Sequence, residues 1–175
     1  ATVGTGVVRV LQDSADHIAR QAGRPLIVEH VVVQDPKKPR SVELSDKRLS
    51  SDLRKITDDP AISVVAVLLG GLEPARTISL KLLRSGKDLV TANKALLAEH
   101  GPELFQAARE AGRSIAFEAA IGGGIPIVAA VSECLTGNRI SSIRGILNGT
   151  SNFILTKMEQ EGSNYQDVLC LAQTE

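Results

Sequence analysis

The 175-residue chain has no Trp, one Tyr and three Phe. Single-stranded nucleic acid binds by stacking bases on aromatic rings, so this shortage argues against that class of partner. Neither sign of charge is in excess. Lys plus Arg and Asp plus Glu both number 20, and the formal net charge is zero. Such a chain lacks the one-signed field that holds non-specific nucleic-acid or membrane-surface binders in place. Cysteine is scarce as well. Cys134 and Cys170 have no metal or redox spacing and read as two buried thiols in a reducing cytoplasm. No apolar run approaches the roughly 20 residues of a membrane span. No signal-peptide pattern opens the chain, and there are no internal repeats or low-complexity segments.

With so few aromatics, Ala, Val, Leu and Ile must fill the core, as they do in parallel sheets covered by helices on both faces. The pattern along the chain agrees. A glycine turn at Gly4 and Gly6 leads into a helical period at Val3, Val7, Val8, Leu11, Ala15, Ile18 and Ala19. A strand over Leu26–Gln34 follows, then a polar stretch with a short helical pattern at Leu49, Leu53 and Ile56. The β-branched run Ile62–Leu69 reads as a buried parallel strand. It ends in Gly70-Gly71, and Pro74 suits the first turn of the next helix. Asp88–Thr91 is a further strand, followed by a helix through Leu97, a helix Pro102–Ala111 and a strand Ser114–Phe117. Beyond these come a helix Pro126–Leu135, a strand Ile140–Leu147 and a helix Phe153–Gln160 capped by Ser151 or Thr150. Ser163-x-x-Gln166 reads as a capping box for a last helix.

Several of these turns carry chemistry. A glycine turn opening a helix, with a strand after it, is the second half of the first βα turn of a dinucleotide-binding fold. Gly4 then stands for the third glycine of the fingerprint and Ala1 for the second. At the end of the following strand, Asp35 speaks for NAD and its ribose hydroxyl. Lys37, Lys38 and Arg40 speak for the 2′-phosphate of NADP, or for a solvated basic loop. Gly70-Gly71 and Lys94 both follow strands and so belong to the carboxyl edge of the sheet, where open α/β sheets bind ligands. A lysine there holds a substrate oxygen or polarises a carbonyl. The alternative is a surface lysine at a helix start, where a cation is mildly disfavoured. Glu118 follows the next strand directly, and a carboxylate inside Phe-Glu-Ala-Ala needs a partner. That partner is either a small hard cation, caged further by carbonyls of Ile121–Ile125, or a helix N-terminus or an arginine. Gly122-Gly123-Gly124 suits close backbone approach or positive φ, or is simply a glycine-rich strand-to-helix turn.

Taken together, these residues resemble homoserine dehydrogenase over nearly the whole chain. TVGTGVVRVL resembles the family's cofactor turn. GGLEPAR, VTANKALLA, FEAAIGGGIPIV and GILNGTSNFIL resemble its successive signature blocks, in the family's order. The resemblance implies a Rossmann-type doubly wound parallel α/β sheet over 1–117, lacking its first strand. It implies the beginning of an α+β substrate and dimerisation domain over 118–175. The activity it implies is NAD- or NADP-dependent interconversion of L-aspartate 4-semialdehyde and L-homoserine, in threonine, methionine and isoleucine biosynthesis. By matching position, Thr2, Val3, Gly4, Gly70, Gly71 and Thr91 line the cofactor. Lys94 lies near nicotinamide and substrate as the catalytic lysine. Glu118 with carbonyls of Ile121, Gly123 and Ile125 forms a monovalent-cation site for Na+ or K+. Gly149 and Thr150 form the turn over the substrate. A cytoplasmic homodimer is implied, and a fused aspartate kinase is a further partner to expect.

The sequence departs from the family at Ala1, where the second glycine belongs, and at Ser63 and Val67, where acidic residues are more usual. The family's substrate-binding acids and second catalytic lysine belong beyond Glu175, so the chain is expected to be a piece of a larger protein with little turnover of its own. The competing reading is a non-catalytic dinucleotide-binding or oligomerisation module. An aspartate semialdehyde dehydrogenase would need a nucleophilic cysteine after a strand, and Cys134 falls late in a predicted helix.

Overall fold

The computed structural model describes residues 2–42, 44, 48–146 and 148–174. The chain forms two compact units, Ala1–Ala116 and Phe117–Glu175.

The first unit opens with helices α1 (Thr2–Asp13) and α2 (Ala15–Ala22). Gly4 and Gly6 lie inside α1 rather than in a turn before it, so the glycines start the helix instead of leading into it. Ala1, the position of the missing second glycine, is outside the described residues. Of the expected strand Leu26–Gln34, only β1 (Val31–Val32) is paired among the described residues, in parallel with β2 (Leu49–Ser50). A strand persists only where a neighbour takes its hydrogen bonds. Leu26 and Ile27 have no such neighbour among the described residues and are exposed. Leu49, read from the sequence as helical, is in β2, and the helix it seemed to begin is shortened to α3 (Arg54–Thr57).

The centre of the unit is a parallel sheet in the order β3 (Val64–Val67), β4 (Asp88–Thr91), β5 (Ile115–Ala116). Helices α4 (Ala75–Arg84) and α5 (Lys94–Ala111) connect these strands, as parallel pairing requires. Both supply the core: Ala75, Leu80, Leu82 and Leu83 from α4, and Leu96, Leu104, Ala107 and Ala108 from α5, against Val67 and Leu89. Burial alternates along the strands. Val67, Leu89 and Thr91 are buried, whereas Val64 and Val90 on the opposite face remain 52% and 38% exposed. The β-branched run thus faces a helical layer on one side among the described residues, not on both. This is a Rossmann-like α/β arrangement of parallel strands and connecting helices.

Helix α5 runs straight through Pro102, where the sequence suggested two helices. A mid-helix proline removes one hydrogen bond and costs about 3 kcal/mol. The buried stripe Leu96, Leu104, Ala107 and Ala108 lies on both sides of the proline and holds the two halves on one core. Gly112 ends the helix at φ 62°, with the Arg113 N–H returning to the Ala108 carbonyl at 2.8 Å. Arg76 of α4 grips Glu103 of α5 with two bonds of 2.6 Å. That bidentate contact holds the Glu103 carboxyl below its usual range.

The second unit contains α6 (Glu118–Ile121), α7 (Ile127–Ala129) running into a π-helical turn (Ala130–Cys134), α8 (Gly149–Glu161) and α9 (Tyr165–Thr174). The expected helix Pro126–Leu135 is therefore regular only at its start. The expected strand does not form among Ile140–Ile146, and Leu147 is outside the described residues. Ile140, Ile143 and Ile146 are exposed, with no described strand to pair with. Asn148, not Ser151 or Thr150, caps α8, accepting the Ser151 N–H at 3.0 Å. Asn164, not Ser163, caps α9 through the Asp167 N–H. In each case the asparagine just before the helix offers its amide oxygen to the first free N–H groups, as the N-cap position demands. Cys134 and Cys170 are exposed rather than buried. No helix among the described residues is long and apolar enough to cross a membrane.

Candidate functional site at the carboxyl edge of the sheet

The register of β3 and β4 sets Val67 beside Thr91, so both strands end at the same edge. The loops that leave them, Leu68 to Pro74 and Ala92-Asn93, must then run side by side. Together with Val3 of α1 they enclose a cleft of about 260 Å³, lined by Val3, Leu68, Leu69, Gly70, Ala92, Asn93 and Lys94. Three residues picked out from the sequence, Val3, Gly70 and Lys94, meet there. Thr2 and Gly4 flank Val3 in the first turn of α1, and Gly71 follows Gly70. Gly71 takes φ 74°, a left-handed conformation that side-chain-bearing residues rarely adopt. Nothing lies within 4 Å of where a Cβ on Gly70 or Gly71 would stand, so the bare backbone faces open space.

Thr91 is buried, and its hydroxyl works inside the edge. It donates to the Val67 carbonyl at 3.2 Å and accepts the Asn93 N–H at 3.2 Å. Lys94, the first residue of α5, is exposed and makes no hydrogen bond or ion pair with any described residue. Its charge sits at the positive end of the helix dipole, so helix stability does not account for it.

The residue that sequence reading missed is Asn93. It is buried, at 7% exposure. Its Oδ1 accepts the Leu96 N–H at 3.0 Å, capping α5. Its Nδ2 donates to the carbonyls of Leu69 at 2.9 Å and Gly71 at 2.6 Å. An asparagine just before a helix is a readable cap signal; the two bonds to the glycine turn are not readable from the sequence.

Leu68, Leu69 and Val3 offer apolar wall to a flat ring. The first N–H groups of a helix have no intrahelical partner, and those of α1 lie beside Val3. The basic loop after β1 is built differently from its sequence reading. Arg40 donates to its own loop, to the carbonyls of Asp35 at 2.7 Å, Lys38 at 2.6 Å and Pro36 at 3.2 Å. The Asp35 carboxylate accepts the Lys37 N–H at 2.9 Å. Arg40 is a staple, while Lys37 and Lys38 point their charge from an exposed stretch.

In the second unit, Glu118 starts α6 and its two carboxylate oxygens accept the N–H groups of Val128 at 2.8 Å and Ala129 at 3.0 Å. This is the helix-start partnership weighed above for that carboxylate. Ile121 closes α6, Gly123 lies in the following turn, and the Ile125 carbonyl accepts the Ile127 N–H at 2.8 Å. Among the described residues no group of three or more His, Cys, Asp or Glu side chains gathers as a metal cluster. Gly149 and Thr150 form the exposed first turn of α8.

Residues 2–118 match the family profile described as "Homoserine dehydrogenase, NAD binding domain", and residues 126–175 match "Homoserine dehydrogenase". The homoserine dehydrogenase of Synechocystis sp. is 47% identical over 176 residues, covering 98% of this chain and 39% of the relative. That of Bacillus subtilis is 45% identical over 172 residues, covering 98% and 40%. The chain therefore spans about two fifths of the length of the curated relatives it matches. Among solved structures, a homoserine dehydrogenase from Thiobacillus denitrificans superposes with a TM-score of 0.83 at 43% identity, over 99% of this chain and 40% of that one. A hyperthermophilic archaeal homoserine dehydrogenase in complex with NADPH gives a TM-score of 0.59 at 28% identity, over 70% of this chain and 38% of that one.

Proposed function

Since this chain belongs to the homoserine dehydrogenase family, we propose that it carries the cofactor half of an oxidoreductase that interconverts L-aspartate 4-semialdehyde and L-homoserine with NADP or NAD. Residues 1–117 are the cofactor domain in this reading, and 118–175 begin the substrate domain. The observation that carries it is Lys94: an exposed ammonium with no partner among the described residues, on a cleft at the carboxyl edge of a parallel sheet, in the family's matching block. A non-catalytic module would leave that charge without a task.

Bound in the cleft, the nicotinamide would supply the hydride. The chain's own residues do the rest. The N–H groups that open α1 receive phosphate. Gly70 lets the ligand approach the backbone. Lys94 Nζ donates to the aldehyde oxygen and stabilises the negative charge that grows there during reduction. Gly149 and Thr150 are assigned to substrate contact on family position. The test is turnover: the full-length enzyme carrying this chain should consume NADPH or NADH when given aspartate semialdehyde. Consumption of neither would refute the reading.

Cofactor choice rests on the loop after β1. With Arg40 committed to its own carbonyls, Lys37 and Lys38 are the cations left to meet a 2′-phosphate. Replacing both by Ala should lower kcat/KM for NADPH about tenfold or more while sparing NADH, since charge-assisted bonds to phosphate are the stronger kind. An unchanged ratio of the two would sink the idea.

We extend the reading to a monovalent cation, Na+ or K+, at Glu118 with the carbonyls of Ile121, Gly123 and Ile125. Each Glu118 oxygen accepts a single N–H and keeps a lone pair for an ion. Glu118→Gln should abolish any stimulation of activity by these salts. Stimulation that persists undiminished would place the ion elsewhere.

A further inference from the structure

The two loops of the cleft are joined by one side chain. Asn93 is the residue through which the glycine turn after β3 and the start of α5 are held in register. Its orientation is not ambiguous. The Leu96 N–H needs an acceptor and the Leu69 and Gly71 carbonyls need donors, so Oδ1 and Nδ2 each have one place to go. Both amide protons and the oxygen are used, and the side chain is buried, so the clamp works with little competition from water.

What it holds is the unusual part of the edge. Gly71 sits at φ 74° and Gly70 has open space above its backbone. Few local contacts restrain such a turn. Asn93 supplies two restraints from 22 and 24 residues away, one on each side of Gly70. The same residue precedes Lys94 directly and sets where α5 begins. The turn that receives the ligand and the cation that faces it are therefore fixed by a single amide.

We propose that Asn93 is a positioning residue for the dinucleotide: it holds the Gly70-Gly71 backbone in the ligand-receiving shape and ties that shape to the placement of Lys94. This rests on the cofactor reading above. Asn93 need not touch substrate or take part in proton transfer. Its effect is on how well the cofactor is received before the chemical step.

Asn93→Asp separates the clamp from the cap. An aspartate has the same shape and accepts the Leu96 N–H, but its ionised carboxylate cannot donate to the two carbonyls and repels them. Asn93→Ser is the second variant: a hydroxyl caps α5 and is too short to reach the glycine turn. The experiment uses the full-length enzyme carrying this chain and titrates NADPH and NADH by fluorescence, without substrate. Limited proteolysis by chymotrypsin at Leu69 and Leu72 is followed, with amide hydrogen exchange at Leu96. In both variants cleavage at the turn should quicken at least tenfold with Leu96 protected as before, and the Kd for the preferred cofactor should rise at least tenfold. In Asn93→Asp the loss should shrink on acidification, because a protonated carboxyl again donates one bond; Asn93→Ser should show no such recovery. A purely structural role would move melting temperature without that pH signature. Cofactor binding and cleavage at the turn within twofold of the unaltered enzyme in both variants would overturn the proposal while leaving the proposed function standing. An unaltered enzyme that binds neither dinucleotide would overturn the function itself and this inference with it.

Discussion

Lys94→Ala should lower kcat about 100-fold or more in the full-length enzyme, the usual consequence of removing one preorganised donor from a developing oxyanion. At 1.36 kcal/mol per factor of ten, that is about 2.7 kcal/mol of transition-state stabilisation. The size follows from the setting. The backbone of Lys94 is fixed as the first residue of an 18-residue helix whose start is capped by a buried asparagine, which sets where its side chain leaves the edge. The ammonium makes no contact with a described residue that must first be broken. Because hydride acceptance and oxyanion charge develop together, the loss should fall on kcat, and cofactor Kd should change less than threefold. Steady-state kinetics with saturating NADPH or NADH, beside a fluorescence titration of cofactor, decide it. Nearly unchanged kcat would show that another group stabilises the oxygen.

The second large effect concerns stability. Leu83→Ala should destabilise the first unit by about 2–5 kcal/mol, the range for deleting a fully buried leucine from a packed core. Leu83 has no exposed surface, and it lies in the cluster that joins α4 and α5 to Val67 and Leu89. Leu83 is wholly buried, so the value should fall in the upper part of the range. Because that cluster sits directly behind the carboxyl edge, urea denaturation followed by circular dichroism should show the lower midpoint, and bound NADPH should raise it again by mass action. A loss below about 1 kcal/mol would mean that the core collapses around the missing atoms.

Much of the first unit was readable in advance. Asp88–Thr91 was bounded correctly, Ile62–Leu69 contained β3, and the helices after Pro74 and Asn93 began where expected. These elements share a strong local signal: β-branched runs, glycine or asparagine at the borders, and periodic leucines. The errors cluster where local signal and tertiary partner disagree. Leu26–Gln34 has strand composition yet pairs at two residues, since pairing depends on what lies alongside. Pro102 carries a strong break signal, but packing on both sides overrode it. Ile140–Ile146 is apolar and unpaired among the described residues. Arg40 was grouped with its neighbours by charge, and folding turned it onto three carbonyls of its own loop.

The sequence alone determined the alternation of strands and helices, the parallel pairing that short helical crossovers impose, and hence the edge at which Gly70-Gly71 and Lys94 would lie. It also determined the family, because five signature blocks in order leave few alternatives. The alternation, the pairing and the edge follow from composition and spacing within about 20 residues, the range over which backbone preference and hydrophobic period act; the family rests on the resemblance of those blocks. Only the tertiary structure decided which polar groups meet. Asn93 reaches carbonyls 22 and 24 residues upstream, Thr91 reaches Val67 across 24, and Glu118 settles on N–H groups 10 and 11 residues ahead. A hydrogen bond demands a donor and an acceptor within a few tenths of an ångström, and residue order does not encode that distance until strands and helices have packed.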